Sequence, residues 1–332
     1  MTQRLSYLSA LLIAILALVY ALWGIDLHEL WQLLRRADYR MLGPCLFLLS
    51  LFYWLKARRW VLILRPLGEY TSRQVMPSLM IGFGTNNVLP AHLGELLRTI
   101  VFARRYHKPL TGVFMSLVLE RLFDTVSILL LFLAASLMLD EAMAGLRITA
   151  WLTAGVLIAA CIFLYVASSR PDLIISLWDA LSTRFTKTLR ERGRHELRNI
   201  ISVVSSIDSY GTLAVLLMYS LMQWALMAAF AWFAIWAFDT VVSPSVVVIL
   251  LGVVVFAVAV PNAPGYIGAI QAAFVFALTP FGVAQEVAFA SSVLFLVAQW
   301  VPVTAIGAFY FVGTGLHVAE ARCGIEEIKH SD

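Results

Sequence analysis

The hydrophobic positions of this chain fall into long runs separated by short polar segments. A membrane-spanning helix needs about 20 mostly apolar residues. We therefore predict spanning helices at residues 5–24, 41–60, 112–139, 147–168, 212–238 and 286–314. The first run lacks the small-residue cleavage site that closes a signal peptide, so we interpret it as a retained span.

Two further apolar runs, residues 75–103 and 244–280, are too long for one span and are broken in the middle. Asn and Pro residues interrupt the first run, and Val260-Pro-Asn-Ala-Pro-Gly-Tyr-Ile-Gly268 interrupts the second. Irregular polar backbone at membrane depth is tolerated only inside protein or beside a wet cavity. We predict that each run is a re-entrant hairpin, entering and leaving the membrane on one side.

Composition places the whole chain in the membrane class. Of its 332 residues, 61% are hydrophobic and 13% are charged, whereas soluble domains have about 25% charged residues. The sequence therefore predicts a single all-α polytopic membrane domain over residues 1–332, without a soluble catalytic domain. Its three cysteines and six scattered histidines match no disulfide or metal-ligand spacing. No metal, cofactor or nucleic-acid partner is expected.

The distribution of Lys and Arg predicts the orientation, because cytoplasmic loops are enriched in them. With both broken runs re-entrant, 18 of the 24 Lys and Arg residues fall on one side, in segments 1–4, 56–74, 104–108, 169–211 and 316–332. Only 4 fall in the opposite loops, at 25–40, 140–147, 239–243 and 281–285. Both termini are then cytoplasmic, and the two hairpins enter from opposite sides. This arrangement resembles an inverted repeat, whose substrate site lies at the midplane.

The long polar segment at 169–211 has apolar residues at helical spacing and several basic residues. We interpret it as an amphipathic helix at the cytoplasmic interface. A solvated connector that only enforces the topology is an equal alternative.

The first broken run carries the main candidate site. Glu95 and Arg98 are three residues apart, so they share a face of the helix that resumes after Pro90. The positive end of that helix favours an anion. We predict that this segment, including Asn86 and Asn87, binds an anionic lipid headgroup. The alternative is a neutralising Glu95–Arg98 pair that merely permits the hairpin to sit in the bilayer.

A second group of charged residues consists of Glu120, Arg121 and Asp124. The apolar stretch that follows is too short to cross the membrane alone, so the span must include these three residues. Arg121 and Asp124 can pair, and Arg121 or Arg98 is expected between the two carboxylates. A structural clamp and a gate or ion-coupling site are equal alternatives.

Three smaller sets complete the candidates. Asn262 and Gln271 are expected to complete the substrate site from the second tip. The predicted hinges, which a static helix break would explain equally well, are Gly94, Pro264, Gly265 and Gly268. Arg58 and Arg59 are candidates for headgroup capture, although topology alone explains the basic sequence Lys56-Ala-Arg-Arg59.

Three motifs in this order resemble a known family. They are Asn86-Asn-Val-Leu-Pro90 followed by Gly94, Glu95 and Arg98, then Glu120-Arg121 with Asp124, then Pro264-Gly265-Tyr-Ile-Gly268. Over about residues 5–315 the chain is similar to the lysylphosphatidylglycerol synthase transmembrane-region family, or flippase-like domain proteins. That family includes the flippase half of the bacterial multiple peptide resistance factor.

The resemblance implies a bacterial inner-membrane protein that moves or binds a lipid. The chain departs from relatives at His92, often Arg there, and at Gln271, often acidic there. It ends at Asp332, so the aminoacyl-transferring domain of the resistance factor is not expected, nor is lipid lysylation.

The leading functional hypothesis is a lipid transporter or flippase for a phospholipid or a polyprenyl- or glycan-linked lipid. No P-loop is visible for the use of ATP, so transport would be passive or coupled to ions through Glu95, Glu120 or Asp124. The alternative is an accessory membrane subunit that binds or delivers lipid to a separate lipid-modifying enzyme. An enzyme is not expected, because no nucleophile and base are visible together.

Overall fold

A computed structural model describes residues 15–89, 93–138, 210–259 and 264–313, together with isolated positions at 155, 175–176, 178–180, 182, 190–191 and 193–194. Over these residues the regular structure is helical, without strands. The helices are α1 (15–22), α2 (Leu27–Arg36), α3 (Leu42–Ile63), α4 (Ser72–Val88), α5 (Leu93–Tyr106), α6 (Leu110–Leu137), α7 (Tyr210–Trp236), α8 (Pro244–Ala259), α9 (Ala269–Leu278) and α10 (Gln285–Gly313). Short 3₁₀ turns lie at Tyr39–Met41, Arg65–Leu67, Pro264–Tyr266 and Thr279–Phe281.

Two of the described helices are long and apolar enough to cross a membrane, by length and composition only: Gly211–Trp236 and Gln285–Gly313. Helices α3 and α6 have 22 and 28 residues but also contain ionisable side chains. The predicted span at 147–168 and most of the predicted amphipathic segment at 169–211 lie outside the described residues. Within that segment, Asp179 forms an ion pair with Arg194 at 3.0 Å.

Helices α4 and α5, which cover the first broken run, form an antiparallel hairpin. At its base the Tyr106 hydroxyl donates a hydrogen bond to the carbonyl of Gln74 (3.1 Å). Near its tip the two helices touch through Gly82 and Gly94, where a Cβ on Gly82 would lie 2.9 Å from the Gly94 carbonyl oxygen. Only glycine permits this approach of two backbones.

Helix α10 packs antiparallel to α4 along its length. Gly307 lies against Gly84, where a Cβ on Gly84 would be 3.1 Å from Gly307 Cα. Three residues nearer the start of α10, the Asn87 amide donates to the Thr304 hydroxyl (3.0 Å). The Trp300 indole donates to the carbonyl of Asn87 (3.2 Å). The tip of the first hairpin therefore rests near the middle of α10, and its base lies near the end of α10.

The second broken run also folds into a pair of packed helices, α8 and α9. Gly265, in the tip between them, has a φ of +72°, a left-handed conformation that favours glycine. A Cβ on Gly265 would be 2.8 Å from Trp300 Nε1 and 3.2 Å from the carbonyl oxygen of Asn87. The two tips thus touch each other beside the middle of α10.

The bases of the two hairpins lie toward opposite ends of α10. The turn Thr279–Phe281 that follows α9 leads directly into the start of α10 at Gln285, whereas Pro77 near the base of the first hairpin lies beside Gly313 at its end. Helix α10 has 29 residues, so it is about 44 Å long at 1.5 Å per residue. The hairpins consequently open in opposite directions.

The connecting loops collect at two ends of the molecule. At one end, Asp38 N–H donates to the carbonyl of Ala237 (2.8 Å), and the Gln285 amide donates to that of Trp23 (2.9 Å). At the other end, the rings of Tyr70 and Tyr106 are in contact. These contacts bring segment 25–40 together with 239–243 and 281–285, and segment 56–74 together with 104–108. Most of the other segments in the charge argument lie outside the described residues.

Candidate functional site

Five ionisable side chains from three helices lie buried side by side within the described residues. They are Lys56 and Arg59 of α3, Arg98 of α5, and Glu120 and Asp124 of α6. The Lys56 ammonium bridges the two carboxylates, with Nζ 2.9 Å from Glu120 Oε1 and 3.1 Å from Asp124 Oδ2. Because unpaired buried charges cost several kcal/mol each, this arrangement holds α3, α5 and α6 in one register.

Arg98 joins the first hairpin to α6. Its Nη1 and Nη2 donate to Glu120 Oε1 and Oε2 at 3.3 and 2.8 Å. Its guanidinium lies 3.7 Å from the centre of the Trp60 ring, a stacked arrangement that stabilises a desolvated cation. The Trp60 indole is fixed by a hydrogen bond to the Ser116 hydroxyl (2.9 Å).

Arg59 is fully buried. Its Nη1 donates to Asp124 Oδ1 (2.6 Å) and to the hydroxyl of Ser220 on α7. The prediction placed Arg58 and Arg59 together at a headgroup-capturing surface, but only Arg58 is exposed, with its guanidinium 5.2 Å from the Trp54 ring. Arg59 lies within the ionic cluster instead, because it shares a helix face with Lys56.

The ion pairs differ from those that sequence spacing predicted. Glu95 pairs with Arg121 across the interface of α5 and α6, not with Arg98. Asp124 binds Lys56 and Arg59, not Arg121. The cation between the two carboxylates is Lys56, where Arg121 or Arg98 was expected. Each pairing joins two helices, so it depends on packing that spacing along one helix does not reveal.

A cavity of about 190 Å³ lies where the two hairpin tips meet. Its polar wall is formed by Lys56, Asn86, Asn87, Arg121, Asp124, Gln223, Tyr266 and Gln299. Its apolar wall includes Leu251, Val254, Val255 and Val258 of α8. The cavity therefore joins the first tip, the second tip and the ionic cluster.

The amide side chains of the predicted site have structural partners. Asn86 Oδ1 accepts from the N–H of Gly94 (2.7 Å), so one of the N–H groups expected to attract an anion is already used. Asn87 binds Thr304. Gln271 Oε1 accepts from the N–H of Gly268 (2.7 Å) at the start of α9. Pro90, His92 and Asn262 lie outside the described residues, as does the side chain of Pro264.

Sequence reasoning missed Lys56, which it read as a topological signal, and Gln223 of α7. The Gln223 side chain is 1% exposed and lines the cavity, and neither its Nε2 nor its Oε1 has a hydrogen-bond partner. The neighbouring Trp224 also lines the cavity, and its buried indole N–H has no hydrogen-bond partner. Buried polar groups are nearly always hydrogen-bonded. The one signal in the sequence was a glutamine inside a long apolar run.

The electrostatics of the site favour an anion. The ionic cluster and the adjoining pair contain four cations (Lys56, Arg59, Arg98 and Arg121) and three anions (Glu95, Glu120 and Asp124), a net charge of +1 counted over described residues only. Groups of three or more His, Cys, Asp or Glu suited to a metal ion are not found in the described part of the chain. The site can thus hold and orient a polar, anionic group beside an apolar wall.

Packed apolar helices, broken helix pairs with touching tips and a buried ionic cluster are consistent with a membrane domain that has an internal polar site. The chain belongs to the family described as the lysylphosphatidylglycerol synthase TM region, whose profile matches residues 7–307. This confirms the resemblance that the three motifs indicated.

The chain is also similar to a glycosyltransferase, AglD, of the archaeon Haloferax volcanii. The two are 30% identical over 128 residues, which is 38% of this chain and 20% of that protein. The match thus spans one fifth of the length of this curated relative.

Proposed function

We propose that the protein is a lipid transporter that moves a lipid with an anionic headgroup through the cavity between the two hairpin tips. The observation that supports this most strongly is the contact of the two oppositely opening hairpins beside a cluster of buried charges. Ionisable residues inside a membrane domain indicate a functional site by default. In transporters built on inverted repeats, the substrate site lies where broken helices meet.

The size and character of the cavity suit a headgroup. Sites for drug-sized ligands have volumes of roughly 300–1,000 Å³, so a cavity of about 190 Å³ fits a headgroup and leaves the acyl or prenyl chains outside. The apolar wall on α8 suits the first carbons of those chains, and the opposite wall suits the polar group.

Arg121 and Lys56 are the cations that line this cavity, and we assign them direct contact with the headgroup. Arg98 does not line the cavity, and its role is to hold Glu120 in position. Asn86, Asn87, Gly94, Gly265 and Gly268 shape the tips. Glu120 and Asp124 are the candidates for coupling to an ion, because both touch Lys56.

The setting proposed for this transport is the inner membrane of a bacterium, with the runs 75–103 and 244–280 re-entrant and both termini in the cytoplasm. The opposite directions of the two hairpins support it, as does the excess of Lys and Arg on the side of the first hairpin's base.

The test is lipid translocation in proteoliposomes with head-labelled phospholipids and a polyprenyl-phosphate sugar. Protein-dependent flux of an anionic lipid is expected, with strong loss in Arg121→Gln. The matched control is Arg104→Gln, which removes an exposed cation of α5 outside the cavity. Absence of flux for every lipid with well-folded protein would contradict the proposal.

A second candidate function is an accessory membrane subunit that delivers lipid to a separate lipid-modifying enzyme. The specific support is that the family description names a synthase and that the similar region forms one fifth of a glycosyltransferase. An accessory subunit would bind lipid without flux and would co-purify with an enzyme, whereas a transporter would sustain flux alone.

A further inference from the structure

Within the proposed transport function, on which this inference rests, we infer that Gln223 recognises the headgroup and that the ligand is a lipid phosphodiester with one negative charge and a hydroxyl-bearing headgroup. Two independent observations support this assignment, the unpartnered amide of Gln223 and the net charge of the site.

The first observation is the state of the Gln223 side chain. Leaving the donor and acceptor of a buried amide without partners is costly, and both atoms of Gln223 are in this state beside the cavity. A hydroxyl group can donate to Oε1 and accept from Nε2, because it is both donor and acceptor. A neutral hydroxyl-bearing headgroup therefore fits this amide, and the indole N–H of Trp224 supplies one more donor.

The second observation is the net charge of +1 over the ionic cluster and the Glu95–Arg121 pair. In surroundings of low dielectric constant, uncompensated charge is expensive. A ligand with one negative charge neutralises the site. A zwitterionic lipid leaves it positive, and a phosphate monoester with two charges makes it negative.

The positions of these groups agree with one bound molecule. Lys56 and Arg121 line the cavity near the ionic cluster, and Gln223 lines it from α7. The cations thus receive the phosphodiester, and the amide receives the headgroup beyond it. Two lipid types share this chemistry: a glycerophospholipid with a polyol headgroup and a polyprenyl phosphate carrying a sugar.

The experiment measures equilibrium binding of defined lipids to the purified full chain, in detergent and in nanodiscs. The probes are phosphatidylglycerol, phosphatidylmethanol (the same phosphodiester without a hydroxyl), phosphatidylcholine, phosphatidic acid and a polyprenyl-phosphate hexose. Wild type is expected to bind a hydroxyl-bearing phosphodiester about tenfold more tightly than phosphatidylmethanol, and phosphatidylcholine more weakly still. Comparison of phosphatidylglycerol with the hexose distinguishes the two sources.

The key variant is Gln223→Met, which keeps the shape and removes both polar atoms. This variant is expected to bind the hydroxyl-bearing lipid about as tightly as phosphatidylmethanol, so the tenfold preference disappears. Its affinity for phosphatidylmethanol should equal that of wild type. It should also raise the melting temperature of the lipid-free protein, since an unpartnered buried amide is replaced by an apolar group. A purely structural glutamine would instead show a lowered melting temperature.

Two further variants keep the test decisive. Gln223→Glu adds a negative charge and should weaken binding of every phosphodiester. Gln32→Leu, on the exposed face of α2, is the control and should change nothing. An unchanged preference in Gln223→Met, or equal binding of phosphatidylcholine and phosphatidylglycerol to wild type, would overturn the inference.

Translocation measured on the same preparations separates this inference from the proposed function. If wild type transports lipid but Gln223→Met keeps the same headgroup preference, only the role of Gln223 is contradicted. Selective binding that depends on Gln223, without flux, contradicts the transport function alone.

Discussion

Arg98 and Glu120 form a two-pronged ion pair that joins the first hairpin to α6, with nitrogen–oxygen distances of 3.3 and 2.8 Å. Both side chains are buried, and Glu120 is also bound by Lys56. The hairpin is thereby anchored beside the cavity through a contact that does not itself line it.

The two members of this pair are predicted to differ in their effect on stability. Replacing Arg98 with Gln leaves two cations and two anions in the buried cluster, whereas replacing Glu120 with Gln leaves three cations and one anion. Breaking a buried pair costs about 3–5 kcal/mol when one charge is left uncompensated. Glu120→Gln should therefore lower the melting temperature in detergent considerably more than Arg98→Gln. Equal losses, or a larger loss in Arg98→Gln, would contradict this charge balance.

The glycines at the crossing of α4 and α5 are predicted to be intolerant of a methyl group. A Cβ on Gly94 would lie 2.6 Å from Asn86 Oδ1 and 2.8 Å from the backbone nitrogen of Asn86. Gly94→Ala should destabilise the protein by about 1–3 kcal/mol, as overpacking does. The matched control is Gly43→Ala in α3, where nothing lies within 4 Å of the added methyl. Thermal unfolding of both variants checks this, and equal melting temperatures would show that the two helices are less closely packed.

Asn86 is predicted to act as the cap of α5 through its contact with Gly94 N–H. Asn86→Ala should cost about 1 kcal/mol, the usual effect of removing a capping side chain. Asn86→Asp retains the hydrogen-bond acceptor, so its free energy of unfolding, measured by chemical denaturation, should be close to that of wild type. If the alanine and aspartate variants have the same stability, the hydrogen bond contributes nothing and Asn86 is free to serve the ligand.

The opposite directions of the hairpins predict a labelling pattern. In a variant without the three native cysteines, a cysteine at His107 lies near the base of the first hairpin. A cysteine at the exposed Val241 lies just before the second. A membrane-impermeant maleimide added to intact bacteria should label Val241→Cys, and His107→Cys only after the membrane is opened. Labelling of both from outside would refute the inverted arrangement.

Much of the fold follows from the sequence because each prediction depended on local chemistry. Long apolar runs gave the helices α3, α6, α7 and α10, and the Asn, Pro and Gly residues gave the two breaks. The repeat predicted that the two breaks meet, and Gly265 of the second tip lies against Asn87 of the first tip and Trp300 of α10.

The ion pairs were not predictable in the same way. Spacing along one helix identified Glu95 with Arg98 and Arg121 with Asp124 as neighbours, but the observed partners lie on other helices. Lys56 looked like a topological signal because it precedes Arg58 and Arg59 at the end of an apolar run. Gln223 gave no periodic signal, and only its burial without partners marks it as a site residue.

The most direct test of the lipid path is photo-crosslinking of the wild-type protein in membranes. The probe is a phosphatidylglycerol with a diazirine in its headgroup, and the adducts are mapped by mass spectrometry. Adducts are expected on residues that line the cavity, Asn87, Gln223 and Tyr266, and unlabelled phosphatidylglycerol should compete with the probe. Adducts confined to the outer surface, such as Arg58 and Phe309, would contradict a path between the two tips.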